Sequence, residues 1–425
     1  MLKTRSNQTF QYIFYLTNPS LKNYAFDIKE SKKIKCKIMK IEKKIAFHCY
    51  SDFETSILNP VYNILKDEFN CLFTMDVGEV LSFKPSILIL ANHHYHYFRG
   101  NLSETIIIWT RHGFANKNSL RKAIEGTDFA CVSSEWVKED CIKNGWIPRL
   151  GFWITGFVPM DKIFSGHLER PSILPPGFPF GRKTLLYAPT WNRYFTSAEE
   201  IKAEHFEKIL DKFPQLNIII KPHPLMSILY RGILGKWEKI KDERLIFVEN
   251  ASEDIYQFFP YADILFTDAS SVMFYFLAMD KPIILFNNPR RFREKEYFDP
   301  FSPEWKWRDM GEEVENFDEL ISAIEKSIFH PEEKSERRAF YRKRVFGDLT
   351  DGRSAERIAE KVRALLAPDE KSKEWVEICW NAVRAMNFPV KGWKRWKLRR
   401  FLSKIGKYFN LMPPLKLFIK RLIKW

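Results

Sequence analysis

Ten apolar runs of only four or five residues decide what this chain can fold into: 45–49, 71–74, 87–91, 105–109, 129–132, 184–187, 217–220, 245–248, 263–266 and 282–286. They are too short for helices and too uniformly apolar for a sheet with one wet face. Strands of a parallel sheet covered on both sides meet both conditions. Amphipathic segments with helical spacing lie between them, at 135–144, 199–212, 271–279 and 317–327, and helix-forming sequence continues from Pro331 to about residue 366. The proline-dense stretch from Pro171 to Pro179 interrupts the alternation and suits a linker. The expected fold class is α/β: two doubly wound Rossmann-like domains, at 45–170 and 183–366, joined by a linker at 171–182 and facing a cleft. Residues 1–44 are a basic extension, and 367–425 form a helical, basic, amphipathic C-terminal tail.

The net charge of +15 is concentrated at the two ends. Residues 1–44 carry +8 and residues 391–425 carry +12 with no acidic residue, which leaves −5 for the body. That distribution excludes a broad nucleic-acid surface and points to an appended electrostatic anchor. The cysteines, at 36, 49, 71, 131, 141 and 379, include no Cys-x-x-Cys pair and read as free thiols of a reducing cytoplasm. There is no signal-peptide pattern in residues 1–20 and no apolar run near the ~20 residues that span a bilayer.

The chemistry-bearing motifs fall at strand exits. Lys221-Pro222-His223-Pro224 follows the run 217–220, and its prolines hold the imidazole stiffly beside an ammonium. Thr267-Asp268-Ala269-Ser270-Ser271 follows 263–266 and opens a helix. Its hydroxyls and backbone N–H groups suit an anion, although Ser270 as a simple cap is the plainer alternative. Two such exits in one domain indicate a nucleotide-diphosphate site at the edge of a parallel sheet. Arg111-His112-Gly113 follows the run 105–109, where His112 has the chemistry of a base and a loop histidine is the alternative. Tyr187-Ala188-Pro189-Thr190-Trp191, with Arg193 beyond, is a further exit. Asp351-Gly352-Arg353-Ser354 reads as a helix start whose N–H groups could meet phosphate. His93-His94-Tyr95-His96 lacks a carboxylate or cysteine at ligand spacing and reads as a polar loop, so no metal is expected. Without a Walker or G-x-G-x-x-G loop, ATPase and dehydrogenase readings have no support, and no cofactor is expected.

Arg111–Gly113, Tyr187–Trp191, Lys221–Pro224, Thr267–Phe274 with Lys281-Pro282-Ile283-Ile284, and Asp351–Arg357, in that order, resemble the CDP-glycerol glycerophosphotransferase family of teichoic-acid primases and polymerases. The resemblance implies a GT-B-like fold, with 45–170 on the acceptor side and 183–366 binding the donor. It implies transfer of glycerol phosphate from CDP-glycerol, or a related CDP-polyol, to a lipid-linked acceptor with release of CMP. His112 would be the base and His223 would bind the donor diphosphate. Lys221, Thr267, Asp268, Ser270, Ser271 and Arg353 would be donor-binding residues, and Arg111, Thr190, Trp191 and Arg193 would lie on the acceptor side or in the cleft. The chain departs from the family pattern in placing Thr110 and Arg111 between Trp109 and His112, Tyr275 where an aspartate is common, and Asn192 before Arg193.

The tail interleaves Trp393, Trp396 and Trp425 with lysines, arginines and aliphatics, and Pro413-Pro414 divides it into two amphipathic runs. This pattern suits the interface of an anionic membrane, against the alternative of a basic helix packed on the body. A peripheral protein on the cytoplasmic face is therefore expected. Two other functions remain open: a nucleotide-sugar glycosyltransferase of the same fold, and a non-catalytic membrane-associated protein.

Overall fold

The computed structural model describes residues 43–387, apart from 112, 114–117, 251, 252, 295 and 297. The basic extension before residue 43 and the segment 391–425 lie outside the described residues. The first sheet comprises β1 (Lys44–His48), β2 (Asn70–Thr74), β3 (Ile87–Leu90), β4 (Ile106–Trp109), β5 (Phe129–Val132) and β6 (Gly151–Ile154), in the order β2-β1-β3-β4-β5-β6. The second comprises β7 (Lys183–Ala188), β8 (Leu216–Ile220), β9 (Leu245–Phe247), β10 (Ile264–Thr267), β11 (Ile283–Phe286) and β12 (Glu312–Val314), in the order β12-β11-β10-β7-β8-β9. Every neighbouring pair is parallel. All ten runs expected as strands are strands, each end within one residue of expectation. β6 and β12 were not expected. β12 is a three-residue edge strand whose sequence, Glu-Glu-Val, is mostly polar, and β6 begins at a glycine.

Side-chain alternation explains how the sheets are covered. On the second sheet Leu185, Tyr187, Ile218, Ile220, Ile264, Phe266, Ile284 and Phe286 enter one core with Phe206, Trp237 and Leu320. The intervening Leu186, Ile219, Leu265, Ile283 and Leu285 enter another core, shared with Leu88, Leu90, Ile107 and Trp109 of the first sheet. The linker contributes Leu174 and Phe178 to this shared core. The cysteines at 49, 131, 141 and 379 are buried thiols outside any disulfide, and burial pushes the Cys131 thiol up to about 12.

Beyond the second sheet the described residues return to the first half. Helix Ser354–Leu366 packs on helix Asp52–Leu65 of the first half. Helix Lys373–Asn387 follows it: Trp375 lies 6.1 Å from Phe129, and Asn387 accepts from Arg149 Nη2 at 2.9 Å and donates to the Ser103 carbonyl at 2.9 Å. The first part of the segment expected as a tail, 367–425, thus contains a helix that packs on the first half. Val376, Cys379, Trp380 and Val383 form a helical stripe that is buried, so this helix belongs to the body. No helix among the described residues is long and apolar enough to cross a membrane.

Candidate functional site

The second sheet reverses direction of winding between β7 and β10, which is where doubly wound folds open a crevice at the carboxyl ends of their strands. Asp268, at the exit of β10, sits in that crevice and is fully buried. Its Oδ1 accepts from the Thr190 backbone N–H at 2.9 Å, and its Oδ2 accepts from the Ser197 N–H at 2.9 Å and the Ser197 hydroxyl at 3.1 Å. Burial nevertheless raises its pKa to about 6, while these donors and the nearby Arg308 guanidinium favour the charged form. Thr267 donates its hydroxyl to the Ala188 carbonyl at 2.6 Å. Thr267 and Asp268, expected on the donor, are therefore both bonded into the protein; they knit the exits of β7 and β10 together behind the site. Thr190 is buried in the same knot.

The adjacent exit of β8 carries Lys221 and His223. Lys221 is 4% exposed, its ammonium donates to the Pro222 carbonyl at 3.2 Å, and burial lowers its pKa to about 8 against the opposing pull of Glu253 and Asp254. His223 is half-buried, and its Nδ1 accepts from the Leu225 N–H at 3.1 Å. That bond assigns the proton of the neutral imidazole to Nε2, the atom then able to donate to an anion. The Trp191 ring lies 6.4 Å from it. Arg193 is exposed, with its guanidinium over Tyr194.

Ser270 Oγ accepts from the Val272 N–H at 3.4 Å, while the cap position itself is Ser271, which makes no side-chain cap bond. The helix that follows, Val272–Phe276, has five residues and continues as a 3-10 turn over Leu277–Met279, so the expected helical segment is present with its last turn tightened. What remains for an anion is the pair of hydroxyls more than a helix dipole. A side chain placed on Gly113 would come within 3.6 Å of the Ser271 hydroxyl and 3.5 Å of the Tyr275 hydroxyl. The exit of β4 in the first sheet thus meets the exit of β10 in the second. His112 itself lies outside the described residues. Its neighbour Arg111 adopts the left-handed region at φ 65°, costly for a residue with a Cβ, and is buried with its guanidinium 5.5 Å over Trp109. Arg111 is a brace for this loop. The two sheet edges touch again where the Ser56 hydroxyl, on the helix after β1, donates to Asp254 Oδ1 at 3.3 Å beyond β9.

Arg353 is elsewhere. It is exposed, pairs with Glu356, and starts a helix whose first N–H groups are already taken: Ser354 and Ala355 donate to the two oxygens of Asp161 at 3.0 and 2.9 Å. The phosphate expected at this helix start is replaced by a carboxylate of the first half. Sequence reasoning missed Asp161, Ser197, Arg308 and Tyr275. The contacts of Asp161 and Ser197 join residues 193 and 71 positions apart, so no local pattern announces them. Tyr275 was visible only as a departure from the family pattern. Among the described residues no group of three His, Cys, Asp or Glu is arranged to hold a metal ion.

Residues 107–364 match the family described as CDP-glycerol:poly(glycerophosphate) glycerophosphotransferase. The chain belongs to this family. The wall teichoic acid polymerase TagF has a similar fold, with a TM-score of 0.57 and 15% identity over 86% of this chain and 99% of that one. A TagF variant soaked with CDPG scores 0.57 at 14% identity, covering 88% and 100%. The S. aureus MnaA-UDP structure scores 0.52 at 13% identity, covering 77% and 98%. No curated protein sequence matches. The glycerophosphotransferase is therefore an α/β enzyme with two parallel six-stranded sheets in a GT-B-like arrangement.

In this glycerophosphotransferase, Asp268→Asn sets a side-chain N–H₂ against backbone donors of Thr190 or Ser197. It should lower stability by about 1–3 kcal/mol and reduce turnover, because the loop 190–197 loses its anchor. Thermal unfolding and steady-state turnover on the same preparation check this; an unchanged melting temperature would remove Asp268 from the role of anchor.

Proposed function

We propose that this protein transfers glycerol phosphate from CDP-glycerol, or a closely related CDP-polyol, to a hydroxyl of a lipid-linked cell-envelope acceptor and releases CMP. Family membership supports the donor class. The observation that carries the site is the meeting of the two strand edges, with Gly113 beside Ser271. In this reading the acceptor oxygen attacks the phosphorus that bears glycerol, the bridging P–O bond breaks, and CMP takes that bond's electrons. His112, one residue before Gly113, accepts the acceptor proton. His223 Nε2–H and the Lys221 ammonium balance charge on the diphosphate, and the Ser270 and Ser271 hydroxyls hold its oxygens. Thr267, Asp268 and Thr190 position these groups. Trp191 and Arg193 border the cleft.

The basic segment 391–425 holds the enzyme on the cytoplasmic face of the membrane in this proposal, where a lipid-linked acceptor is presented. Its twelve cations act at about 1 kcal/mol each near an anionic surface, and its aromatics add interfacial burial.

Mass spectrometry of products formed with CDP-glycerol, CDP-ribitol and bacterial lipid extract tests the reaction. CMP together with a glycerophosphate- or ribitol-phosphate-extended lipid is expected. A nucleoside diphosphate released from a nucleotide sugar would establish the glycosyltransferase alternative, and no turnover across both donor classes would favour a non-catalytic role. His223→Ala should slow transfer by about 10²–10³ while the fold survives; near-normal kcat in a folded variant removes His223 from the chemistry. His112→Ala should abolish transfer and keep CDP-glycerol affinity, which calorimetric titration reads directly.

Lys221 gives a pH signature. Its folded pKa lies below the ordinary lysine value, so its cation is complete below about pH 8 and lost above it. kcat/KM for the donor should therefore fall as pH rises through that value in the free enzyme, and Lys221→Arg should remove this alkaline limb. Deleting 391–425 should release the protein from anionic vesicles, and added salt should weaken binding of the full chain. Equal flotation of both forms would discard the anchor.

A further inference from the structure

The first sheet has its own reversal, between β1 and β3, and the exits of those strands carry side chains that the donor chemistry does not use. The His94 ring stands 4.6 Å from Tyr50 at 72° and 5.4 Å from Tyr97 at 52°. Both tyrosines are open to solvent, at 68% and 48% exposure. Beneath them lies a polar floor. Glu54 Oε2 accepts from the Tyr50 N–H at 2.7 Å and the Asn92 amide at 2.9 Å, and Asn92 Oδ1 accepts from the His94 N–H at 2.8 Å. Glu54 and Asn92 are both buried. His94 Nδ1 is a buried atom without a hydrogen-bond partner among the described residues.

This cluster adjoins the transfer site. Trp109 donates its indole N–H to the Ala91 carbonyl at 3.2 Å, with His93 6.0 Å from its ring and Arg111 over it. One residue thereby braces both the β3 exit and the Arg111–Gly113 loop.

The chemistry of the cluster selects its ligand. Phosphate sites use arginine, lysine or a row of free N–H groups. The arginine of this loop, Arg99, is turned inward, donating to Asp128 at 3.0 Å and to the Gly126 carbonyl at 3.0 Å. The buried acid, Glu54, repels an anion. Burial and the neighbouring His96 hold His94 below the usual histidine range although Glu54 pulls the other way, so the ring is a neutral donor and acceptor near pH 7. Two open aromatic faces over an amide, a carboxylate and an imidazole suit the C–H face and hydroxyls of a pyranose.

We propose that Tyr50, His94 and Tyr97, above Asn92 and Glu54, form a saccharide subsite that takes a neutral sugar unit of the acceptor in preference to a glycerol-phosphate chain. The assignment of that sugar to the acceptor rests on the transferase reading; the binding of sugar does not.

Saturation-transfer NMR on the full-length protein tests it with methyl β-D-glucopyranoside and methyl N-acetyl-β-D-glucosaminide, and with sn-glycerol 3-phosphate as the charged arm. Ring protons of at least one glycoside should receive saturation. The signal should fall about tenfold in Tyr50→Ala and in Tyr97→Ala, as when an aromatic anchor is truncated, and be retained in Tyr50→Phe. Glycerol 3-phosphate should give no signal sensitive to these substitutions. Absent glycoside signals, equal signals in wild type and both alanine variants, or glycerol 3-phosphate signals lost in those variants would each overturn the subsite. CDP-glycerol titration of the wild-type protein reads the donor separately: failure there removes the transferase reading and leaves the sugar result standing.

Discussion

The second half of this protein is organised around one buried carboxylate. Asp268 accepts three hydrogen bonds from the segment that leaves β7, although it lies at the end of β10. A buried acid without donors would be neutral or would destabilise the fold by several kcal/mol. With them it fixes where the neighbouring strand exits stand. The half-buried positions beside it, Ser271 and His223, can then present polar groups without rearranging. Burial varies residue by residue along these exits: Thr267, Asp268 and Lys221 face inward, and Ser271 and His223 are half open.

The two halves are coupled by equally polar means. Asp161 takes the first N–H groups of helix Ser354–Leu366, Ser56 reaches Asp254, and Ser133 donates to the Val345 carbonyl at 2.6 Å. Beneath these bonds the apolar core is continuous from the first sheet to one face of the second. The short loop at Arg111–Gly113 is held by a guanidinium over Trp109 on one side and approaches Tyr275 on the other. The Tyr275 ring is itself stacked 5.0 Å from Phe157.

The fold was legible because ten strands are apolar on both faces, and such runs have few alternative uses. β12 escaped because an edge strand needs only one partner and tolerates glutamates, and helix Lys373–Asn387 because its stripe at 376, 379, 380 and 383 lies close to a basic terminus that drew the eye to membranes. The positions of the site motifs were legible for the same reason the strands were: a strand end is a place, and Lys-Pro-His-Pro and Thr-Asp-Ala-Ser-Ser sit on two of them. Their division of labour was not. Whether a threonine or aspartate faces a ligand or a carbonyl depends on partners such as Ala188 and Ser197, more than seventy residues away. The helix start at Ser354 looked open for phosphate because nothing near it in sequence reveals Asp161.

The return of helix Lys373–Asn387 to the first sheet has a consequence for synthesis. The first half is discontinuous: residues 43–165 emerge from the ribosome early, yet the surfaces that receive Trp375 and Asn387 stay uncovered until the whole second half has been made. At ordinary elongation rates of about 5–20 residues per second, that interval lasts on the order of ten seconds or more. The nascent first sheet spends that interval with the flank that helix Lys373–Asn387 will cover still exposed. Completion of the first half therefore waits on the last described helix of the chain.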